Sequence, residues 1–274
     1  MKRRRWIVVM ALAALALLAV IALDARLIVR RYTLEAEEIT VPVRLAVITD
    51  FHGCDYGPGA RRLLSAVEAE APDVVLLVGD IYDDDLPWDE SDALLTALAG
   101  RWPTFYVTGN HEYWSGGVDE ICRRVEAAGA TVLDMDCRTI TVNGQRLNIC
   151  GVPDPEAVAY AGAPEVTLQL QRCMAAAERD AFTLLMAHRP EMAELYAAQG
   201  FDLVVSGHAH GGQVRIPGLL NGLFAPDQGW LPRYVGGEYR VGDMTLIVSR
   251  GLARESTRLP RVFNRPELVI VDLK

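Results

Sequence analysis

From Arg44 onward, short β-branched runs alternate with stretches of helical period, and that alternation restricts the chain to strands joined by crossover helices. RLAVIT (44–49), DVVLLV (73–78) and TFYVT (104–108) read as buried strands, with helices over 60–70, 92–99 and 119–128, the last stopped by Gly129. The rhythm then changes to short strands at 131–133, 139–142 and 146–150. Asn143-Gly144 between the last two signals a hairpin, because both residues accept a positive φ. A Pro/Gly-rich loop over 151–164 leads to a helix around 167–179. FTLLMA (182–187) and DLVVS (202–206) read as strands flanking a short helix over 191–199 that Gly200 stops. Residues 211–237 hold many glycines and prolines and no periodicity, and strands at 239–241, 245–249 and 268–273 close the chain. The expected fold is α/β, two packed mixed β-sheets flanked by helices in a four-layer α/β/β/α sandwich.

Ahead of this region, Lys2-Arg3-Arg4-Arg5 precede the uncharged run 7–23, which sits near the lower limit for a membrane-spanning helix. Val20-Ile21-Ala22 resembles a signal-peptidase site, so a cleaved leader is the competing reading. The apolar run exceeds a usual leader core and arginines follow it, which favours an uncleaved anchor. The expected organisation is a cytoplasmic tail and signal-anchor over 1–31 and one enzyme domain over 40–274, at the cell membrane with the lipid bilayer as a partner. More basic residues before the run than after it (Arg26, Arg30, Arg31) put the domain on the exported side.

Residues 32–274 carry 20 basic against 35 acidic side chains, net −15, and such a surface repels a polyphosphate backbone, so nucleic acid is not an expected partner. The five cysteines include no CxxC pair and are odd in number, which reads as buried small hydrophobes rather than a disulfide framework or a thiolate zinc site. Cys54 stands apart only because it follows His52 by two residues.

The chemistry gathers where the strands end. Asp50-Phe51-His52 closes the first strand, Gly79-Asp80-Ile81-Tyr82-Asp83 the second and Gly109-Asn110-His111-Glu112 the third. His188 ends FTLLMA, and Gly207-His208-Ala209-His210 ends DLVVS. Each motif alone is weak, since a strand-end Asp is ordinary punctuation and a single His is more often structural. Together they use all five histidines and bring nitrogen and carboxylate donors to strand termini, where ligand sites of α/β sheets collect. That mixture suits Zn, Mn or Fe and not Ca. Asp84 and Asp85 read as a solvated loop.

The set Asp50-x-His52, Gly79-Asp80-x-x-Asp83, Gly109-Asn110-His111-Glu112, His188 and Gly207-His208-x-His210, in this order over about residues 44–273, resembles the calcineurin-like metallophosphoesterase family. Gly211-Gly212-Gln213, Ser249-Arg250-Gly251-Leu252 and the anchor are similar to its membrane-associated bacterial branch, which includes YkuE- and YaeI-like phosphodiesterases and is related to UDP-2,3-diacylglucosamine hydrolases. Ala209 departs from the threonine this branch often carries. The resemblance implies two divalent metal ions. Asp50, His52 and His210 would hold one, Asn110, His188 and His208 the other, and Asp80 would bridge them. A metal pair about 3.5 to 4 Å apart generates hydroxide near neutral pH for in-line attack on phosphorus. His111 would stabilise charge on the phosphate or protonate the leaving oxygen, and Asp83 and Glu112 would orient ligands from behind. The implied activity is hydrolysis of a phosphodiester or pyrophosphate bond, with a lipid or sugar nucleotide as substrate; a metal-binding scaffold without turnover is the alternative. Arg215, Leu223 and Phe224, in the apolar loop after His210, either form a substrate rim for acyl chains or belong to a loop that packs on its own domain.

Overall fold

The computed structural model describes residues 2–254 and 260–274; Met1 and residues 255–259, which fall in the two expected domain ranges, lie outside it. Strands β1 (Ile28–Leu34), β2 (Val43–Ile48), β3 (Val74–Val78), β4 (Thr104–Val107) and β5 (Thr131–Val132) form a first sheet. A second contains β6 (Asp136–Val142), β7 (Gln145–Gly151), β8 (Phe182–Met186) and β9 (Leu203–Ser206). β10 (Phe224–Ala225) and β11 (Gly229–Trp230) pair only with each other, while β12 (Gly237–Val241) and β13 (Met244–Val248) join the second sheet. β14 (Glu267–Leu273) returns to the first. The orders are β1-β14-β2-β3-β4-β5 and β12-β13-β9-β8-β7-β6. β2, β3 and β4 run parallel, as do β7, β8, β9 and β13.

Side-chain alternation explains why the two sheets stack. In β2, Val43, Leu45 and Val47 join Leu76 and Val78 of β3 in a core shared with Ile149, Leu184, Met186, Leu203 and Val205 of the second sheet. Ala46 and Ile48 point the other way, into a core with Leu63 and Val67 of α2 (Arg61–Glu70), Leu94 and Leu98 of α3 (Asp89–Ala99) and Val125 of α5 (Val118–Ala127). In the second sheet Leu185 and Val204 face Val166, Leu170 and Cys173 of α7 (Val166–Ala176) and Tyr196 of α8 (Ala193–Ala197). Strands apolar on both faces need cover on both faces, and the α/β/β/α layering follows.

Four local features differ from the sequence reading. The Ile28–Leu34 strand was not anticipated; it begins inside the segment 1–31 expected as tail and anchor and pairs in parallel with β14. Its Arg30 and Arg31 are exposed, and a charged edge strand lacks the apolar run that announces a central one. The helix expected over 191–199 is split into a 3-10 turn, Pro190–Met192, and α8. Residues 151–164 contain a short helix, α6 (Glu156–Tyr160). Finally, Cys137 and Cys150 form a disulfide, correcting their reading as isolated hydrophobes. They sit directly opposite one another in the β6–β7 register set by the Asn143-Gly144 turn.

Helix α1 (Lys2–Ala22) contains Arg3–Ala22, a stretch long and apolar enough to cross a membrane, exposed along its length except for Ala22 at its end.

Candidate metal centre

The parallel strands of both sheets end at one shared edge. β2 leads to Asp50 and His52, β3 to Asp80, and β4 to Asn110, the first residue of α4 (Asn110–Trp114), while β8 delivers His188 and β9 delivers His208 and His210. All seven side chains are buried. Donor atoms of Asp50, His52, Asp80 and His210 lie within 4.8 Å of one another, as do those of Asp80, His188 and His208. Asp80 belongs to both groups.

Turning these side chains inward strains the backbone at five of the seven positions. Asp50 (φ 50), His52 (φ 51), Asp80 (φ 52), His208 (φ 63) and His210 (φ 45) all adopt the left-handed region, at about 1–3 kcal/mol each for a residue with a side chain. Such conformations persist where surrounding structure over-determines them and cluster at functional sites. Close approach also accounts for glycine here: a Cβ on Gly109 would lie 2.2 Å from Asp80 Oδ1, and one on Gly251, itself at φ +69, would lie 2.5 Å from Asp50 Oδ2.

Hydrogen bonds fix which atoms face the centre. His188 Nδ1 donates to the Val78 carbonyl (2.8 Å), so a histidine of one sheet is held by a strand of the other. His52 Nδ1 is held by Asp83 Oδ2 (2.8 Å). Asp50 accepts the His208 N–H (2.8 Å) and the Thr49 hydroxyl (2.5 Å), and Asp80 Oδ1 accepts the His111 N–H (3.0 Å). What remains is informative: His52 Nε2 and Asn110 Oδ1 are buried without a hydrogen-bond partner, while Asp80 Oδ2 and His188 Nε2 face each other 3.0 Å apart. Buried polar atoms are nearly always satisfied, so this under-satisfied set of nitrogen and oxygen donors fits divalent cations.

The acidic residues behind the centre differ in their work. Glu112 is fully buried and its carboxylate accepts four backbone N–H groups, from Asp80 (3.0 Å), Ile81 (2.8 Å), Tyr82 (3.0 Å) and Gly109 (2.7 Å). It therefore shapes the loop that carries Asp80. Asp83 holds His52 and accepts the N–H groups of Asp85 and Leu86. Asp84 corrects its expected role as solvated loop: it is exposed, yet its Oδ1 lies 2.5 Å from His111 Nδ1. The His111 ring meets that of His52 edge-on at 4.5 Å.

Electrostatics follow the geometry. Burial opposes the charge on Asp80, but His188, His52 and His111 more than offset it and hold the carboxyl well below its usual range. For His188, burial is likewise overcome by Asp80 and Asp50, and its pKa rises to about 10. His210 lacks such close compensation and burial drives it down to about 3.

Three residues went unnoticed in the sequence. Buried Arg189 is bidentate with Asp154 (2.7 and 3.0 Å) and also pairs with Asp227. Asp227, between β10 and β11, accepts from His208 Nε2 (2.9 Å), which leaves Nδ1 as the His208 nitrogen available to the centre. Arg189 could have been flagged as the neighbour of His188, but nothing marked Asp227 in an aperiodic loop. The residues of the expected rim differ in their surroundings. Arg215 binds the Asn221 carbonyl (2.9 Å) and Leu223 is half-buried, whereas Phe224 is exposed and stacks edge-on with Trp230 at 5.5 Å.

Comparison with known proteins identifies the family. Residues 43–212 match the model of the calcineurin-like phosphoesterase family. Phosphodiesterase YaeI of Escherichia coli is 29% identical over 240 residues, covering 85% of this chain and 82% of that protein. A Caenorhabditis elegans protein named as a putative metallophosphoesterase is 33% identical over 184 residues, 63% of this chain but only 37% of its own length. A bovine transmembrane protein with a metallophosphoesterase domain is 28% identical over 77% of this chain and 48% of its own length. Among solved structures, the NAD nucleotidase of Haemophilus influenzae superimposes with a TM-score of 0.55 at 14% identity, over 78% of this chain and 46% of that one, which shows a shared fold. The chain belongs to the calcineurin-like phosphoesterase family, whose members hydrolyse phosphoric esters at a dinuclear metal site.

Proposed function

We propose that this protein is a membrane-anchored phosphodiesterase or pyrophosphatase in which Asp50, His52 and His210 hold one divalent ion, Asn110, His188 and His208 hold a second, and Asp80 serves both. The observation that carries the reading is the membership of Asp80 in both donor clusters, with its carboxylate fully buried among them. The donor set suits Zn, Mn or Fe. Bound there, the metals supply Lewis acidity toward phosphoryl oxygens and acidify water. The protein's own groups do the rest. Glu112 and Asp83 keep Asp80 and His52 in register, and Asp84 fixes His111 by Nδ1 so that Nε2 is left to donate to a phosphoryl or leaving oxygen. The name of the E. coli relative supports diester chemistry, and a lipid or sugar-nucleotide ester fits an enzyme tethered by α1. The Cys137–Cys150 bond supports an exported domain, since disulfides persist in oxidising compartments.

The test is hydrolysis of bis(p-nitrophenyl) phosphate by the purified full chain, stripped of metal and reloaded with Mn, Zn or Fe. Activity should return with metal and vanish in Asp80→Ala and Asn110→Ala. A wild-type protein inert with every metal overturns the proposal.

A further inference from the structure

We propose that the segment 216–231 is a second membrane contact, its apolar side chains resting in the interfacial layer of the bilayer that α1 enters, so that the metal-binding edge works at the lipid surface. The inference rests on the reading of α1 as an anchor. Outside α1 and the residue that follows it, eight large hydrophobic side chains are exposed among the described residues, and five lie in this one segment: Ile216 (48%), Leu219 (82%), Phe224 (44%), Trp230 (72%) and Leu231 (69%). Exposed apolar side chains concentrated in one segment, with Phe224 and Trp230 in edge-on contact, mark an interaction site rather than ordinary solvent-facing chain. The segment has a single charged residue, Asp227, and that one is committed to His208 and Arg189.

Two connections say what covers the patch. The Phe263 N–H donates to the carbonyl of Ala22, the last residue of α1, at 2.6 Å. Arg215, at the base of the segment, donates its N–H to Val262 (3.0 Å) and its guanidinium to Phe263 (3.4 Å). The end of the anchor and the base of the apolar segment thus meet at one residue, Phe263, so a bilayer entered by α1 lies beside the patch. Exposed Arg26, just after the helix, and Arg233, just after the segment, border the patch in ion pairs with Asp24 and Glu194. Tryptophan and leucine beside charged pairs are the composition of an interfacial contact. At its far side the segment is pinned to the domain by buried Ala225, Tyr234 and Val235. Asp227 then links it to the metal centre.

The experiment uses the full chain in nanodiscs whose lipids are brominated near the glycerol backbone, and reads tryptophan quenching. In Trp6→Phe the helix reporter is gone, and quenching relative to unbrominated discs should persist. It should disappear in Trp6→Phe/Trp230→Phe and return when Leu219→Trp is added to that pair. No quenching difference among the three variants overturns the proposal, because the segment then stays in water or against another protein surface. Trp230→Phe alone reports Trp6, so quenching there without a Trp230 contribution leaves the anchor standing and removes only the second contact. Turnover is not needed for the readout, so an inactive enzyme would strike the phosphodiesterase reading separately.

Discussion

Replacing Glu112 with Gln keeps the side chain's shape and changes one oxygen from acceptor to donor. Oε2 receives the N–H groups of Asp80 and Gly109, and Oε1 those of Ile81 and Tyr82, so either orientation of the amide leaves two buried N–H groups facing another donor. Each unsatisfied group costs about 1–3 kcal/mol, giving about 2–6 kcal/mol in all. An opposing effect trims this. Burial pushes the Glu112 carboxyl above its usual pKa, and a neutral amide is cheaper to bury than a carboxylate. A net loss of about 2–4 kcal/mol corresponds to a Tm lower by about 4–16 °C for a domain of this size. Thermal unfolding of wild type and Glu112→Gln, with hydrogen exchange at the Asp80, Ile81, Tyr82 and Gly109 amides, checks it. A Tm within about 1 °C and unchanged protection at those amides would refute the view that this carboxylate shapes the loop.

Asp227→Ala should lower kcat about 10–100-fold by releasing His208, with partial recovery in Asp227→Glu; steady-state kinetics on a soluble diester with unchanged activity would count against it. Gly251→Ala should destabilise the fold by about 1–3 kcal/mol from its left-handed backbone alone and should weaken metal retention through Asp50, read by denaturant unfolding and metal analysis. Because His188 is raised from 6.5 to about 10, its proton contributes stability that is whole below pH 6.5 and lost as pH climbs toward 10. A cation needs Nε2 deprotonated, so Zn titration of the metal-stripped protein at pH 7 in weak buffer should release protons, and affinity should rise with pH over the same range; no proton release would contradict this.

The central strands were legible because burial on both faces leaves an apolar run, as in Val74–Val78, and because the polar motifs follow those runs directly. The Asn143-Gly144 turn even fixed the register that sets Cys137 opposite Cys150, a consequence the odd cysteine count obscured. Edge strand Ile28–Leu34 escaped since none of its residues is fully buried and its arginines look like membrane flanks. Asp154, Arg189 and Asp227 meet only in three dimensions, drawn from α6's approach, the end of β8 and the aperiodic loop. No local period encodes such a meeting. Asp84 was misjudged for a related reason: an exposed acid can still hold a neighbour.

The centre straddles a seam, with Asp80 of the first sheet 3.0 Å from His188 of the second and Asp50 of the first accepting the His208 amide of the second. A cation gripping both sides is a rivet between the halves of the molecule. Its contribution grows by about 1.4 kcal/mol for every tenfold excess of free metal over Kd. On the proposed reading, metal supply would bear on how long this protein survives proteolysis as well as on how fast it turns over.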